Sequence, residues 1–323
     1  LFLLWQVPIH TVAVQNDQVL RGWLACPKLN KRLDTFYKSA EFQKKENESA
    51  KLRKQLESIV GIEKIGLEDF YNVYDYIHLH QLYNHTYLNI TDEQWRKVVY
   101  FADWVEYNKY SKEMIGDIGG GILANEIASS FSEIAAKKSK RKLLYYSAHY
   151  PTMFSLFSAL GLNKMSDSPL RRIPYYASLV FFELLHDSNN DKFVVQFSFK
   201  NGLEEPLTKY SIPECKDPCS LDQFVKLVNS LAVRDIESWC HACGNTQLSR
   251  CQVTASECPT VREPKVSGTG GFFLGVFVTL LVVIFVTALW YFCLRKRCVV
   301  AGSGSRPRRG LAHMENEPDP GVI

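Results

Sequence analysis

Leu143-Leu144-Tyr145-Tyr146-Ser147-Ala148-His149-Tyr150 is the stretch on which the reading of this chain turns. Its apolar and aromatic run predicts a buried strand over 142–148. The run ends in Ser147-Ala148-His149. Pro151 follows, and the apolar spacing from Thr152 to Leu160 predicts a helix. A histidine therefore stands where a strand passes into a helix, with a tyrosine directly after it.

Downstream, 177–186 and 192–200 have strand patterns joined by Asp187-Ser188-Asn189-Asn190-Asp191, a loop rich in turn residues. A further strand is predicted over 207–212, and Ser220 is suited to cap a helix over 221–231. Upstream the pattern is helical. Phe36, Tyr37, Ala40, Leu52, Leu56 and Ile59 recur at helical spacing until Gly61. An aromatic-rich helix is predicted over 67–83. Thr91 can cap a third helix carrying Trp95, Val98, Val99, Ala102 and Val105 on one face. Its aromatic residues, with Tyr71, Tyr74 and Tyr76, read as a core of packed helices. Gly119-Gly120-Gly121 precedes a helix over 122–136. That run lacks a preceding strand and a following Lys-Ser/Thr, so it reads as a tight bend or helix start, not a phosphate loop. Lys137 to Arg141 reads as a solvated helix end. Helices first, then strand, helix and hairpin, predict a mixed α/β body with a helical insertion over about 30–116.

The chain has 323 residues, 46% of them hydrophobic and 22% charged, which describes a globular protein. Of its net charge of +4, most sits after residue 294, in Arg295, Lys296, Arg297, Arg306, Arg308 and Arg309. No basic face points to nucleic acid as a partner. Phe272 to Leu294 is a run of 23 uncharged residues, about 34 Å as a helix, long enough to cross a bilayer. Trp290 and Tyr291 near its end and Arg295-Lys296-Arg297 just after it put the tail in the cytosol and residues 1–258 on the luminal or extracellular side. The expected organisation is an ectodomain over 1–258, a Pro/Gly/Ser-rich stalk over 259–271, a transmembrane helix over 272–294 and a tail over 295–323. Asn47, Asn84 and Asn89 head Asn-x-Ser/Thr triplets on the same side of the span, as glycosylation requires.

Seven of the nine cysteines also precede the span: Cys26, Cys215, Cys219, Cys240, Cys243, Cys251 and Cys258. In an oxidising lumen they predict disulfides. An odd number leaves one thiol free or paired between chains, so a homodimer stays open. Cys293 and Cys298 stand at the inner membrane face, where palmitoylation occurs. No metal site is expected: Cys240-x-x-Cys243 ahead of Cys251 and Cys258 has a zinc-like spacing but reads as disulfide cysteines on this side of the span, and His78-x-His80 reads as surface or packing residues. The chain begins at Leu1 without a signal segment, and reads as incomplete at its N-terminus, or as a processed or mispredicted product.

Several of these segments together resemble the histidine acid phosphatases, prostatic and lysosomal. They are Trp5-Gln6-Val7-Pro8-Ile9-His10-Thr11-Val12, Gly120-Gly121-Ile122-Leu123-Ala124-Asn125-Glu126-Ile127, Leu144 to His149, Pro174-Tyr175-Tyr176-Ala177-Ser178 and Cys215-Lys216-Asp217-Pro218-Cys219. The resemblance runs from about residue 4 to 240. It implies a mixed sheet flanked by helices with a helical cap. It also implies hydrolysis of phosphomonoesters at acid pH without metal or cofactor. In that family a histidine attacks phosphorus to form a phosphohistidine, arginines clamp the phosphoryl oxygens, and a His-Asp pair at a strand end supplies a phosphate contact and the leaving-group acid.

In this chain that pair reads His149-Tyr150. The resemblance gives His149 the phosphate contact, alongside the alternative of a histidine that merely caps the strand-helix turn. Tyr150 stands at the acid's position, where a phenol is a sluggish proton donor and a larger ring. The nucleophile motif Arg-His-Gly-x-Arg-x-Pro does not occur in these residues, and the family's further arginine lies upstream of the matched region. The resemblance also implies disulfides Cys26–Cys240 and Cys215–Cys219, with a third family pair replaced at both ends by Leu79 and Leu179; the partners of Cys243, Cys251 and Cys258 stay open. A sheet without the strand that carries the nucleophile would leave a gap with unpaired backbone groups.

Two functions follow as expectations. One is a membrane-anchored member of the phosphatase family, inactive or impaired, with the bilayer and a phosphorylated small molecule as partners. The other is a non-catalytic binding or adhesion ectodomain that keeps the fold. A signalling receptor has little support, since the tail holds no enzyme domain and no tyrosine. Lysosome and cell surface are both open as locations.

Overall fold

The computed structural model describes residues 9–83, 88–164 and 169–252. All fall within one compact unit, Leu1–Ser256; Glu257–Ile323 form a second. The expected stalk, span and tail lie outside the described residues, as do Asn84, Cys258, Cys293 and Cys298. Among the described residues no helix is long and apolar enough to cross a membrane.

Four helices come first: α1 (Pro27–Tyr37), α2 (Ala40–Val60), α3 (Phe70–Tyr83) and α4 (Asp92–Lys109). Their ends follow local chemistry. Ser39 accepts from the Phe42 amide to start α2, and Gly61 closes it with a left-handed backbone at φ 75°. Thr91 and Gln94 form a reciprocal capping box at α4. The helical pattern read from Phe36 to Ile59 is therefore two helices, because Ser39 caps a fresh start. Leu56, Phe70, Ile77, Val98 and Val105 fill the core between them.

A second core lies beyond. Helix α5 (Gly121–Ala135) and helix α6 (Tyr150–Ala159) pack with a three-stranded sheet and α7 (Leu221–Asn229), which Ser220 caps. A β-carbon at Gly120 would collide with the Ser155 carbonyl, and one at Gly121 with the Val233 carbonyl. The glycine run thus lets the start of α5 approach its neighbours' backbone closely. The strands β1 (Leu179–Asp187), β2 (Lys192–Lys200) and β3 (Thr208–Tyr210) run antiparallel in the order β1-β2-β3. Opposed pairs such as Phe182–Phe197 and Val180–Phe199 face this core.

Two expectations about the sheet are corrected. Among the described residues it is purely antiparallel, not mixed. The reason is the second correction: 142–148 is not a buried strand. It has irregular backbone, with Leu143 and Tyr145 each 72% exposed and Leu144 43% exposed. A strand needs a neighbour for its N–H and C=O groups, and no described strand pairs with this segment. The outer edge of β1 is likewise unpaired among the described residues.

The unit is closed near its ends by α8 (Ile236–Cys243) and α9 (Ser249–Gln252). Trp239 is fully buried and donates from Nε1 to the Gly22 carbonyl at 2.7 Å. Cys215 pairs with Cys219 as expected. Cys26, however, pairs with Cys243 and not with Cys240, which pairs with Cys251. Cys240 and Cys243 lie about one turn apart on α8. The fully buried Cys243 comes within 4.8 Å of Cys26, Cα to Cα, while Cys240 meets α9. The Cys26–Cys243 bridge spans 217 residues and so removes much freedom from the unfolded chain. Replacing both of its cysteines by alanine is expected to cost about 2–5 kcal/mol. Replacing Cys215 and Cys219, only four residues apart, is expected to cost less. Thermal unfolding of the two double variants, with peptide mapping under non-reducing conditions, checks both the ranking and the pairing.

Candidate functional site

A groove of about 1030 Å³ runs past the start of α6. Its floor includes Ile127 and Phe131 of α5, and its walls come from β1, the segment 142–149, Tyr71, Tyr74, Asp75 and His78 of α3, and the loop at Tyr175 and Tyr176. The volume suits a small organic ligand. Arg21, His149 and Tyr150 all line it.

His149 is the residue that precedes the first turn of α6, in an extended conformation. Its carbonyl accepts from the Thr152 amide at 3.0 Å, but its imidazole makes no cap hydrogen bond. Of the two roles read for it, the side-chain cap is therefore absent. The imidazole Nε2 instead meets Nη2 of Arg21, a residue 128 positions away. Partial burial, and then the Arg21 charge, hold the imidazole below its ordinary pKa. A neutral ring can accept the guanidinium's proton at Nε2.

Arg21 was not picked out by sequence reasoning. It sits in an aperiodic stretch, and only the folded chain brings it to His149. Its place is well determined. Its amide donates to the Asp17 carbonyl, Thr152 Oγ1 donates to the Leu20 carbonyl at 2.7 Å, and Gly22 is held by Trp239. A β-carbon at Gly22 would strike the Ile118 carbonyl. Among the described residues no carboxylate forms an ion pair with Arg21.

Tyr150 points away from solvent. Its ring packs 4.5 Å from that of Tyr71, centroid to centroid, and edge-on to Tyr110 and Phe154. Its hydroxyl donates to Glu106 Oε2 at 2.7 Å. Glu106 has no solvent exposure, and its other oxygen accepts from Lys109 Nζ at 2.8 Å. Burial, followed by the Glu106 charge, pushes the Tyr150 phenol far above its ordinary value. It stays protonated at any ordinary pH, and its one proton is committed to Glu106. Lys109 is held above its ordinary value: burial lowers it, and the attraction and hydrogen bond of Glu106 outweigh that.

Of the other candidate residues, His78 lines the groove, whereas His80, Asn47 and Asn89 do not. His78 stacks on Tyr176, at 5.3 Å and 19°, while His80 packs on Tyr76, so the two histidines have different surroundings. Among the described residues no cluster of three potential metal ligands occurs. Asn47 is exposed on α2, although Ser49 of its triplet is fully buried. Asn89 is exposed just ahead of α4, and Thr91 of its triplet is the cap of that helix.

With this geometry in view, the chain can be compared with known proteins. The family described as histidine phosphatase superfamily (branch 2) matches residues 11–200. The chain belongs to that superfamily. It is 25% identical over 266 residues to lysosomal acid phosphatase of Bos taurus, covering 80% of this chain and 60% of that protein. It is 24% identical to the lysosomal acid phosphatase of Homo sapiens, with the same coverage. Prostatic acid phosphatase of Rattus norvegicus is 26% identical over 254 residues, covering 76% of this chain and 65% of the relative. The chain thus spans about 60% of the length of the lysosomal relatives it matches.

Two measurements probe the frame of the site. Glu106→Ala strands Lys109 and the Tyr150 hydroxyl in the interior, and is expected to cost about 3–5 kcal/mol in chemical denaturation. Asp103 of α4 accepts from the Ile173 amide at 2.8 Å and so holds a groove-lining loop. Burial raises its pKa to about 6, against the lowering effect of that hydrogen bond and of Arg172. An acid whose folded pKa is raised binds more protons in the folded state, so its contribution to stability is full below about pH 4 and is lost as pH rises through about 6. Asp103→Asn is therefore expected to match the parent near pH 4 and to be the more stable protein at pH 7.5, as read by urea unfolding at both pH values.

Proposed function

We propose that this chain is the recognition portion of a membrane-anchored acid phosphatase-like protein that binds phosphomonoesters and releases their alcohols poorly. The observation that carries this is the Tyr150 hydroxyl donating into buried Glu106. Expulsion of an alkoxide needs a proton at the leaving oxygen, and a positioned acid typically contributes about 10²–10⁴ in rate. Tyr150 occupies the position that the family's Asp holds, carries a phenol shifted out of reach of acid catalysis, and has its proton turned inward. His149 would remain as a contact for the phosphoryl group. The lysosomal and prostatic acid phosphatases that the chain resembles support the substrate class.

In this reading residues 272–294 anchor the chain as a single-pass type I protein. The ectodomain, 1–258, faces the lumen of the lysosome or the outside of the cell. The three disulfides and the triplets at Asn47, Asn84 and Asn89 support that side.

The test is made on the full-length protein with two aryl phosphates of unequal leaving group. Dinitrophenolate departs without a proton, whereas phenolate benefits from one. With the family's nucleophile motif absent from these residues, turnover by the parent is expected to be low, and what there is to favour dinitrophenyl phosphate strongly over phenyl phosphate. Tyr150→Asp is expected to narrow that gap by raising phenyl phosphate turnover by about 10²–10⁴. Equal turnover of both esters by the parent overturns the leaving-group defect. No turnover of either ester by the parent or the variant supports the alternative, a binding ectodomain that only keeps the fold.

A further inference from the structure

We propose that Arg21 and His149 form a proton-linked clamp for a tetrahedral dianion, in which the phosphoryl group of a monoester displaces their direct contact and His149 takes up a proton from solvent to hold it. This rests on the reading of the groove as a phosphomonoester site, and adds to it a residue and a coupling.

Three observations carry it. The first is that a guanidinium and an imidazole, both cationic donors when protonated, meet directly at the groove's lining. Among the described residues neither has a carboxylate in an ion pair. A partly buried guanidinium without a counter-ion favours an anion, and its planar fork suits two oxygens of a phosphoryl group.

The second is that the contact can only be a resting one. Arg21 donates at His149 Nε2, so the ring must leave that nitrogen unprotonated. Two positive groups at that separation repel unless an anion lies between them. An arriving dianion reverses the preference: it accepts from Arg21 and from a protonated Nε2 together.

The third is that both residues are held in place. The Arg21 backbone is tied to α6 through Thr152 and to α8 through Trp239, while His149 is fixed at the start of α6. The remaining ionisable groups of the groove do not supply the same coupling. Asp75 is bonded to Tyr176, Glu183 accepts from Gln196 at 2.8 Å, and Tyr150 is turned to Glu106. Arg141 and Lys142 line the groove without contacting His149 in any hydrogen bond or ion pair of the described residues. His78 also lines the groove, with burial holding its imidazole below the ordinary value against the pull of Asp75, and is separated by substitution in the test.

The probe is sulfate, a tetrahedral dianion that does not itself titrate between pH 5 and 8, measured by calorimetry on the full-length protein. Sulfate is expected to bind more tightly as pH falls, approaching tenfold per pH unit above the His149 pKa, with one proton taken up per site. Arg21→Ala is expected to weaken binding at pH 5 by about 10- to 100-fold, and Arg21→Lys by less. His149→Gln, whose amide still donates, is expected to keep measurable binding and lose the pH dependence, whereas His78→Gln keeps it. Parent binding that is absent, pH-independent, or unchanged by Arg21→Ala overturns the clamp. Because sulfate is not turned over, that failure is distinct from failure of the leaving-group reading, which is judged by the two aryl esters.

Discussion

The hydrogen bond from Tyr150 to Glu106 ties the start of α6, and with it one wall of the groove, to the helical core. Glu106 is a carboxyl with no access to water, and such a group must have partners inside the protein. Lys109 satisfies one oxygen and Tyr150 the other. A small acidic residue at position 150 could not bridge to Glu106 and also face the groove, whereas a tyrosine reaches inward by the length of its ring. The ring then finds Tyr71, Tyr110 and Phe154 around it. In the proposed reading, a position that holds a proton donor in the family is drawn into the core here, so the stability of the helical half and the loss of that donor share one cause.

The groove also shows what a sheet needs from its neighbours. Residues 142–148 have the composition of a buried strand, yet Leu143 and Tyr145 are largely exposed. Nothing within seven residues can correct that, because a strand's hydrogen bonds are supplied by another segment. The edge of β1 that is unpaired among the described residues lines the same groove. Two stretches of backbone that could pair thus face a space lined by α5. Exposed edges of this kind invite further strands, and the chain spans about 60% of its lysosomal relatives.

What was legible in the sequence is what local chemistry controls. Thr91 and Ser220 cap helices because their hydroxyls reach amides three residues on. The hairpin from β1 to β2 is written in five turn residues. His149 and Tyr150 could be singled out because a strand-like run stops there and a helix begins. The missed break at Ser39 is local, but the other misreadings depend on distance. The partner of Cys26 turned on which face of α8 meets α1, a matter of one helical turn that resemblance alone assigned to Cys240. Glu106 lies 44 residues from Tyr150 and looks, in sequence, like any acid on a solvated helix. Arg21 lies 128 residues from His149 and has no periodic or motif signal at all.

That distance explains why binding and chemistry can part company in one fold. Arg21 and His149 are placed by the joint between the two ends of the unit: Gly22 held by Trp239, Leu20 by Thr152, and Cys26 by Cys243. The proton donor's position is set by something else, the side of α4 that carries Glu106. Each can change without moving the other. In the proposed reading, a tyrosine at 150 that satisfies Glu106 replaces the family's acid while the guanidinium and imidazole stay where the disulfide-closed frame puts them. On that reading an oxyanion can be met by Arg21 and His149 while the Tyr150 hydroxyl stays turned to the wall of the groove.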